Sequence, residues 1–468
     1  MKKSIVHRVT GCVAWAVLAV AAIADLAGAQ PVPIPETYGG DLWSRPRLTG
    51  DWGGVRDAMG KKGIVLDVDL LMTPQGVVSG GKDDVAKFWG NGEYTLNVDT
   101  GKAGLWPGGF LRVEGISGFG DNVIKDAGAI VPVNYAAVVP DVGNEANVLM
   151  NLTFMQFLSE KFGFVVGKLD TLGSDDNAFA HGYHSNFLNT GLGINPVLAI
   201  LPVSAYGGGL IILPWDGAVF TVGVVDPSGT PSNNDISEAF QDGVLVSSEG
   251  RVTIKPFGLV GHQLVGFIWD NKERPSLEQD PSNIERILLV SRFPRLADPG
   301  PILRRILERF FPQLLVPVEP LNRKHDTWSV YYNFDQYLWG DETRGIGTFF
   351  RFGASDGNPN PIKYAYNVGF GGNGLVPSRP RDTFGIGWAR TQFSDDLVPF
   401  LRQRLDLGLN KEDAVEMYYN FSITPAVNAT LDLQIVQPGL TKQLNSATGR
   451  LEDVHTAVVA GLRIYARF

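Results

Sequence analysis

The sequence predicts an all-β transmembrane barrel, an antiparallel up-and-down sheet of about sixteen strands with short turns at one rim and long loops at the other. Three observations predict it: a strand that runs to an aromatic last residue, an apolar leader, and connections that alternate in length. At the end of the chain Val458, Ala460, Leu462, Ile464, Ala466 and Phe468 share one face, and Gly461, Arg463, Tyr465 and Arg467 the other, because strand side chains alternate. A chain that stops inside a strand exposes an edge in an open sheet. Pairing that strand with the first one removes the edge.

Lys2, Lys3 and Arg8 precede an apolar run from Val13 to Ile23 and then Ala27-Gly28-Ala29, the layout of a cleaved signal peptide over 1–29. The run is too short to span hydrocarbon as a helix. Cys12, the one cysteine, falls inside it, so a mature chain from Gln30 has no thiol for a disulfide, a thiolate-bound metal or a nucleophile. Losing the leader removes three basic residues and one acidic one, which leaves 37 Lys+Arg against 48 Asp+Glu and a charge of −11 over 439 residues. That balance argues against nucleic acid as a partner. With 56 Gly, 29 Pro and a mean hydropathy of +0.01, the composition suits many short strands and turns. No composition break or repeat divides the rest, so residues 30–63 are expected to form an N-terminal periplasmic segment and 64–468 one barrel.

Period-two alternation places strands near 64–72, 91–100, 109–117, 146–157, 163–170, 205–213, 218–226, 249–256, 261–270, 327–338, 345–355, 363–371, 382–392, 413–424, 429–437 and 456–468. Short connections such as 100–108, 158–162, 214–217, 257–260, 339–344 and 425–428 alternate with long ones at 118–145, 171–204, 227–248 and 271–326, which puts both termini in the periplasm. Trp106, Trp215 and Trp339 sit in or beside the short set, where amphipathic rings meet headgroups. No charge occurs between His184 and Asp216, but Pro196, Pro202, Gly207 and Pro214 break any helix there, so a charge-poor loop leading into a strand is expected. Short helices are expected over 52–61, capped by Asp51, and over 301–311, lying on the outer rim or across the pore mouth.

Trp328, Val330, Tyr332 and Phe334 oppose Ser329, Tyr331, Asn333 and Asp335; Val415, Met417, Tyr419, Phe421 and Ile423 oppose Glu416, Tyr418, Asn420 and Ser422; Leu431, Leu433 and Ile435 oppose Asp432 and Gln434. One face suits lipid and the other water. Sixteen strands enclose a wet lumen, and the same phase places Asp67, Asp69, Asn97, Asp99, Arg112, Glu114, Lys168, Asp170, Arg351, Glu416 and Arg463 inside it. Rings of one sign select ions, whereas cations interspersed with carboxylates suit neutral polyhydroxylated solutes.

Gly353-Ala354-Ser355-Asp356-Gly357 fits a nucleophile elbow and Gly369-Phe370-Gly371-Gly372-Asn373-Gly374 a dinucleotide fingerprint, but prolines follow both where a helix must start, so turns are expected. His181 and His184 beside Asp175 and Asp176 suggest a metal site only weakly, and no cofactor is expected.

Arg47-Leu48-Thr49-Gly50-Asp51-Trp52-Gly53-Gly54-Val55-Arg56 resembles the N-terminal motif of the carbohydrate-selective porin (OprB) family. Gly167-Lys168-Leu169-Asp170, Asp176-Asn177-Ala178-Phe179, Asp335-Gln336-Tyr337-Leu338 and Leu431-Asp432-Leu433-Gln434 followed by Gln437-Pro438-Gly439 continue the likeness in order. Leu431, Ile435 and Tyr465 depart from the family's pattern. The resemblance implies a sixteen-stranded channel in the outer membrane of a Gram-negative bacterium that passes mono- or oligosaccharides by diffusion and is not an enzyme. The rival readings are a barrel lipase or protease and a non-selective porin. The terminal strand looks like the signal read by the barrel-assembly machinery; outer-membrane lipid is the other expected partner, and a homo-trimer is left open.

Overall fold

The computed structural model describes residues 34–138, 145–171, 175, 177–279, 305, 309, 322–397, 399, 402, 406–444 and 450–468. The leader, Asp176 and nearly all of the expected 301–311 helix lie outside these residues. Sixteen strands form the barrel: β1 (Ile64–Gly81), β2 (Val85–Asp99), β3 (Gly109–Gly120), β4 (Ala146–Ser159), β5 (Phe162–Asp170), β6 (Ser204–Ile212), β7 (Ala218–Val225), β8 (Leu245–Ile254), β9 (Gly261–Asp270), β10 (Thr327–Gly340), β11 (Gly345–Ser355), β12 (Ile362–Asn373), β13 (Thr383–Phe393), β14 (Lys411–Thr424), β15 (Val427–Gln437) and β16 (His455–Arg467). Each pairs antiparallel with its successor, and β16 closes on β1 with Leu71 opposite Tyr465 and Gly76 opposite Ala460. Closure leaves no row of unpaired backbone groups to face hydrocarbon.

All sixteen expected strands are present. The largest difference is at β1 and β2, which run well past 72 and begin well before 91 to meet across a connection of only 82–84. Pro74, Gly76, Gly80, Gly90 and Gly92 weaken the local strand signal, yet the ladder continues through Thr73 opposite Trp89 and Gln75 opposite Lys87. The connections at the end that carries both termini are all short; at the other end most are long, with 82–84 and 356–361 the exceptions.

The outward face is apolar: Trp328, Val330, Met417, Ile423, Leu431, Leu433 and Ile435 are exposed, whereas Ser329, Asn333, Asp335, Glu416, Asn420, Asp432 and Gln434 between them are buried. Trp106, Trp215, Trp339 and Phe257 stand exposed around the terminal rim, the position of an interfacial aromatic girdle.

Before β1, α1 (Val55–Lys61) follows a turn in which Trp52, Gly53 and Gly54 all have positive φ. Asp51 therefore does not cap the helix as expected; its Oδ1 accepts the Gly53 N–H at 3.1 Å inside that turn, and Gly54 occupies the N-cap position. From α1, Arg56 Nη2 donates to the Phe468 carbonyl at 2.9 Å, to the Leu66 carbonyl at 2.8 Å and to Asp67 at 2.8 Å, which fastens the N-terminal segment across the β1–β16 seam.

The lumen is only partly open. Segments of two connections from the far rim, 121–137 and 177–203, turn inward and build apolar clusters against the wall. Val123, Ile124, Ala127 and Val133 pack on Val77, Trp89, Val436 and Val459; Phe179, Phe187 and Leu192 pack on Tyr337, Phe349, Ala389 and Tyr418. Lumen-facing glycines make room for them: a β-carbon at Gly371 would lie 2.8 Å from Phe179 Cβ, and one at Gly387 2.7 Å from Leu192 Cδ2. The charge-free stretch after His184 runs through this inserted segment into β6, and its loop part is largely buried.

Candidate functional site: the constriction of the lumen

Lumen-facing charges in the first three strands and the last one meet the tip of the inserted segment. Asp69 on β1 and Glu93 on β2 are direct cross-strand partners, as are Asn97 with Arg112 and Thr95 with Glu114 between β2 and β3. Asp69 Oδ2 accepts the Tyr465 hydroxyl at 2.6 Å. Glu93 Oε1 accepts the Tyr183 hydroxyl at 2.9 Å, and its Oε2 lies 2.8 Å from His184 Nε2. Arg112 Nη2 reaches Glu114 Oε2 at 2.7 Å, and Arg47, from the N-terminal segment, reaches Asp67 at 2.7 Å. Tyr135, Tyr183, His184 and Tyr465 form a continuous run of rings with successive centroids 5.1, 4.3 and 4.6 Å apart. Burial, then the negative charge of Glu93 and Glu114, holds the Tyr183 phenol well above its ordinary range, so it stays a donor.

The inserted segments are held by charged wall residues spent on backbone groups. Glu416 accepts the Leu188 and Asn189 N–H groups at 2.6 and 2.8 Å, and Glu412 those of Ile130 and Val131 at 2.8 Å each. Arg463 donates to the Tyr183 and Asn186 carbonyls at 2.7 Å each. Arg351 donates to the Leu192 carbonyl at 2.7 Å, to the Ala180 carbonyl at 3.0 Å and to Asp175. Bonds of this kind keep a buried charge tolerable and a loop fixed.

The ten charged residues expected along the lumen therefore separate into distinct settings. Asp67, Asp69, Arg112 and Glu114 come together at the constriction. Asp99 lies nearer the terminal rim, where its Oδ1 accepts the Lys102 N–H at 3.1 Å. Arg351, Glu416 and Arg463 face inward but are fully buried beneath the inserted segment. Lys168 and Asp170 lie on the outward phase with Val166, which is exposed, while Val165 and Leu169 point in. Lys168 Nζ is covered there by the 226–244 connection, donating to the Pro231 and Asn233 carbonyls at 2.9 Å and to Asn234 Oδ1 at 2.7 Å.

Glu93, Tyr183, His184 and Arg47 complete the constriction and went unnamed as lumen residues. Glu93 shares the phase of Asn97 and Asp99 and was legible in β2; the loop residues carry no periodicity that could place them. His184 serves Glu93 and His181 lies 3.8 Å from Asp175, so the two histidines serve different carboxylates and do not converge on one point. The Ser355 hydroxyl donates to the Ile362 carbonyl at 2.7 Å and accepts the Gly357 N–H at 3.0 Å, a turn contact at the end of β11.

A closed barrel with an apolar exterior and a lumen narrowed by inserted segments and interspersed charges defines a channel protein of the outer membrane. Residues 88–468 match the model of the carbohydrate-selective porin, OprB family. The chain belongs to that family, and its place is the outer membrane of a Gram-negative bacterium. Porin B of Pseudomonas aeruginosa is 29% identical over 157 residues, which are 31% of this chain and 33% of that protein; the chain spans about a third of the length of this curated relative. The high-pH structure of Pseudomonas putida OprB superposes with a TM-score of 0.71 at 21% identity, covering 91% of this chain and 99% of that one. Its low-pH structure gives 0.52 at 15% identity, over 92% and 100%. These likenesses agree with the barrel described above.

Proposed function

We propose that the protein is a porin through which mono- or oligosaccharides diffuse passively, selected at the constriction and without a catalytic step. The observation that carries this reading is the close interleaving of Arg47, Arg112 and the Tyr183 and Tyr465 hydroxyls with Asp67, Asp69, Glu93 and Glu114. A sugar hydroxyl donates and accepts at once, so it meets complementary groups at any orientation; a single ion meets both signs. The family description supports the same solute class.

In this reading residues 1–29 are removed on export, the N-terminal segment and short turns face the periplasm, and the terminal strand engages the barrel-assembly machinery. Weak contacts at several points admit a sugar and release it. Liposome swelling with sugars, amino acids and organic acids tests the proposal. Faster entry of sugars than of other neutral solutes of equal size is expected; entry ranked by size alone makes the protein a non-selective pore.

A further inference from the structure

Two residues along β3 from Arg112, on the same lumen face, Phe110 opens a recess of about 1020 Å³ at the terminal end of the barrel. Phe110 and Phe157 line it edge to face with centroids 6.3 Å apart, beside Leu213, Val219, Arg251 and Thr253. The inward phase of this wall is fixed by neighbours: Val219 pairs with Arg251, one step from Thr221 and Glu249, which are buried inside, while Phe220 is exposed on the outer surface. The rings are therefore half-buried in a water-filled path. Leaving apolar area wet costs about 25 cal/mol per Å², a cost that plain diffusion does not require.

The recess and the constriction share the inward face of β3. At about 3.3 Å per residue, Phe110 lies about 7 Å along the strand from Arg112, close to the length of one sugar unit. Pyranoses with equatorial hydroxyls have faces made of C–H groups, which pack on ring faces as other apolar surfaces do, while their rims still need donors and acceptors. A recess of this size exceeds one monosaccharide and suits two or three linked rings.

We propose that the recess is a second saccharide subsite, where a ring adjoining the one at Arg112 and Glu114 lays its C–H face on one of the Phe110 and Phe157 rings and meets the edge of the other. The channel then grips gluco-configured di- and trisaccharides more tightly than glucose. This inference rests on the reading of the protein as a sugar channel.

The test is the ion current through the full-length mature protein in a planar bilayer, titrated with glucose, maltose and maltotriose. In the parent, half-block by maltose is expected at about one-tenth of the glucose concentration, since one ring contact contributes about 1 to 1.5 kcal/mol. Phe110→Ala combined with Phe157→Ala should erase the maltose advantage and keep the glucose block and the open-channel conductance. Phe157→Trp, which keeps an aromatic face, should keep the advantage. Equal block by glucose and maltose in the parent, or a maltose advantage that survives the double substitution, overturns the subsite. No block of the parent by any of the three sugars overturns the sugar-channel reading itself.

Discussion

Asp69 and Glu93 stand directly opposite one another on β1 and β2 with both carboxylates in the lumen. Like charges so placed destabilise a sheet, and each is held by its own donors: Tyr465 for Asp69, Tyr183 and His184 for Glu93. A barrel wall gains nothing from this pairing, whereas a pore gains a fixed negative field beside the solute path.

Glu93→Gln removes one charge and keeps a side chain of the same shape. A unit charge about 5 Å from a permeating ion in water acts with about 0.8 kcal/mol, or about fourfold in a partition ratio. Reversal potentials in a salt gradient should show cation preference in the parent, in keeping with the chain's excess of Asp and Glu over Lys and Arg, and about a fourfold smaller preference in the variant. An unchanged ratio would mean that ions pass elsewhere.

Arg112 and Glu114 form an ion pair whose arginine is about a third exposed. Such pairs contribute about 0 to 1 kcal/mol to stability, so Arg112→Ala and Glu114→Ala should leave the heat-induced mobility shift on gels nearly where it is. Sugar entry should respond more strongly: losing hydrogen bonds of about 1 kcal/mol lowers glucose swelling relative to a size-matched non-sugar about fivefold. Parent-like swelling in both variants would move the selective contacts to another part of the wall.

The barrel was legible because its signal is local. Alternation fixed the outward phase at Trp328, Met417 and Leu431, and turn residues marked the ends. What escaped depends on contacts far apart in sequence. Nothing in the local sequence says that the partner of Glu93 is His184, 91 positions away, or that Glu416 receives Leu188, 228 positions away. The phase of Lys168 was misplaced because β5 has apolar residues on both faces: Val165 and Leu169 pack inward while Phe164 and Val166 face out. The charge-free stretch after His184 did carry a signal, since a surface loop of that length without one charge is rare and an enclosed one needs none.

Arg351 ties the inserted segment at three points, Asp175 and the carbonyls of Ala180 and Leu192. Arg351→Ala leaves a largely buried carboxylate and two carbonyls without this donor, a loss of roughly 3 to 5 kcal/mol. The segment should leave its seat, and single-channel conductance should rise with added current noise. Gly387→Val should act the same way without touching a charge, because its β-carbon meets Leu192. Conductance unchanged in both variants would show that the segment does not limit the pore.

The Asp175–Arg351 tie also sets a pH window. Burial by itself would raise the Asp175 carboxyl, but the Arg351 guanidinium and His181 outweigh it, and the group is held below its ordinary value of 3.8. A carboxyl depressed on folding contributes stability that is full above its unfolded value and is lost as pH falls through the folded one. Hydrogen exchange of the Ala180–Leu192 amides, compared between the parent and Asp175→Asn, reads what the Asp175 carboxylate contributes through Arg351 and His181 together. The parent should keep its better protection from pH 7 to 5, and the margin should be lost only below about pH 4. A margin that falls between pH 7 and 5 would show that Arg351 does not depress Asp175, and that the segment is held by its other bonds.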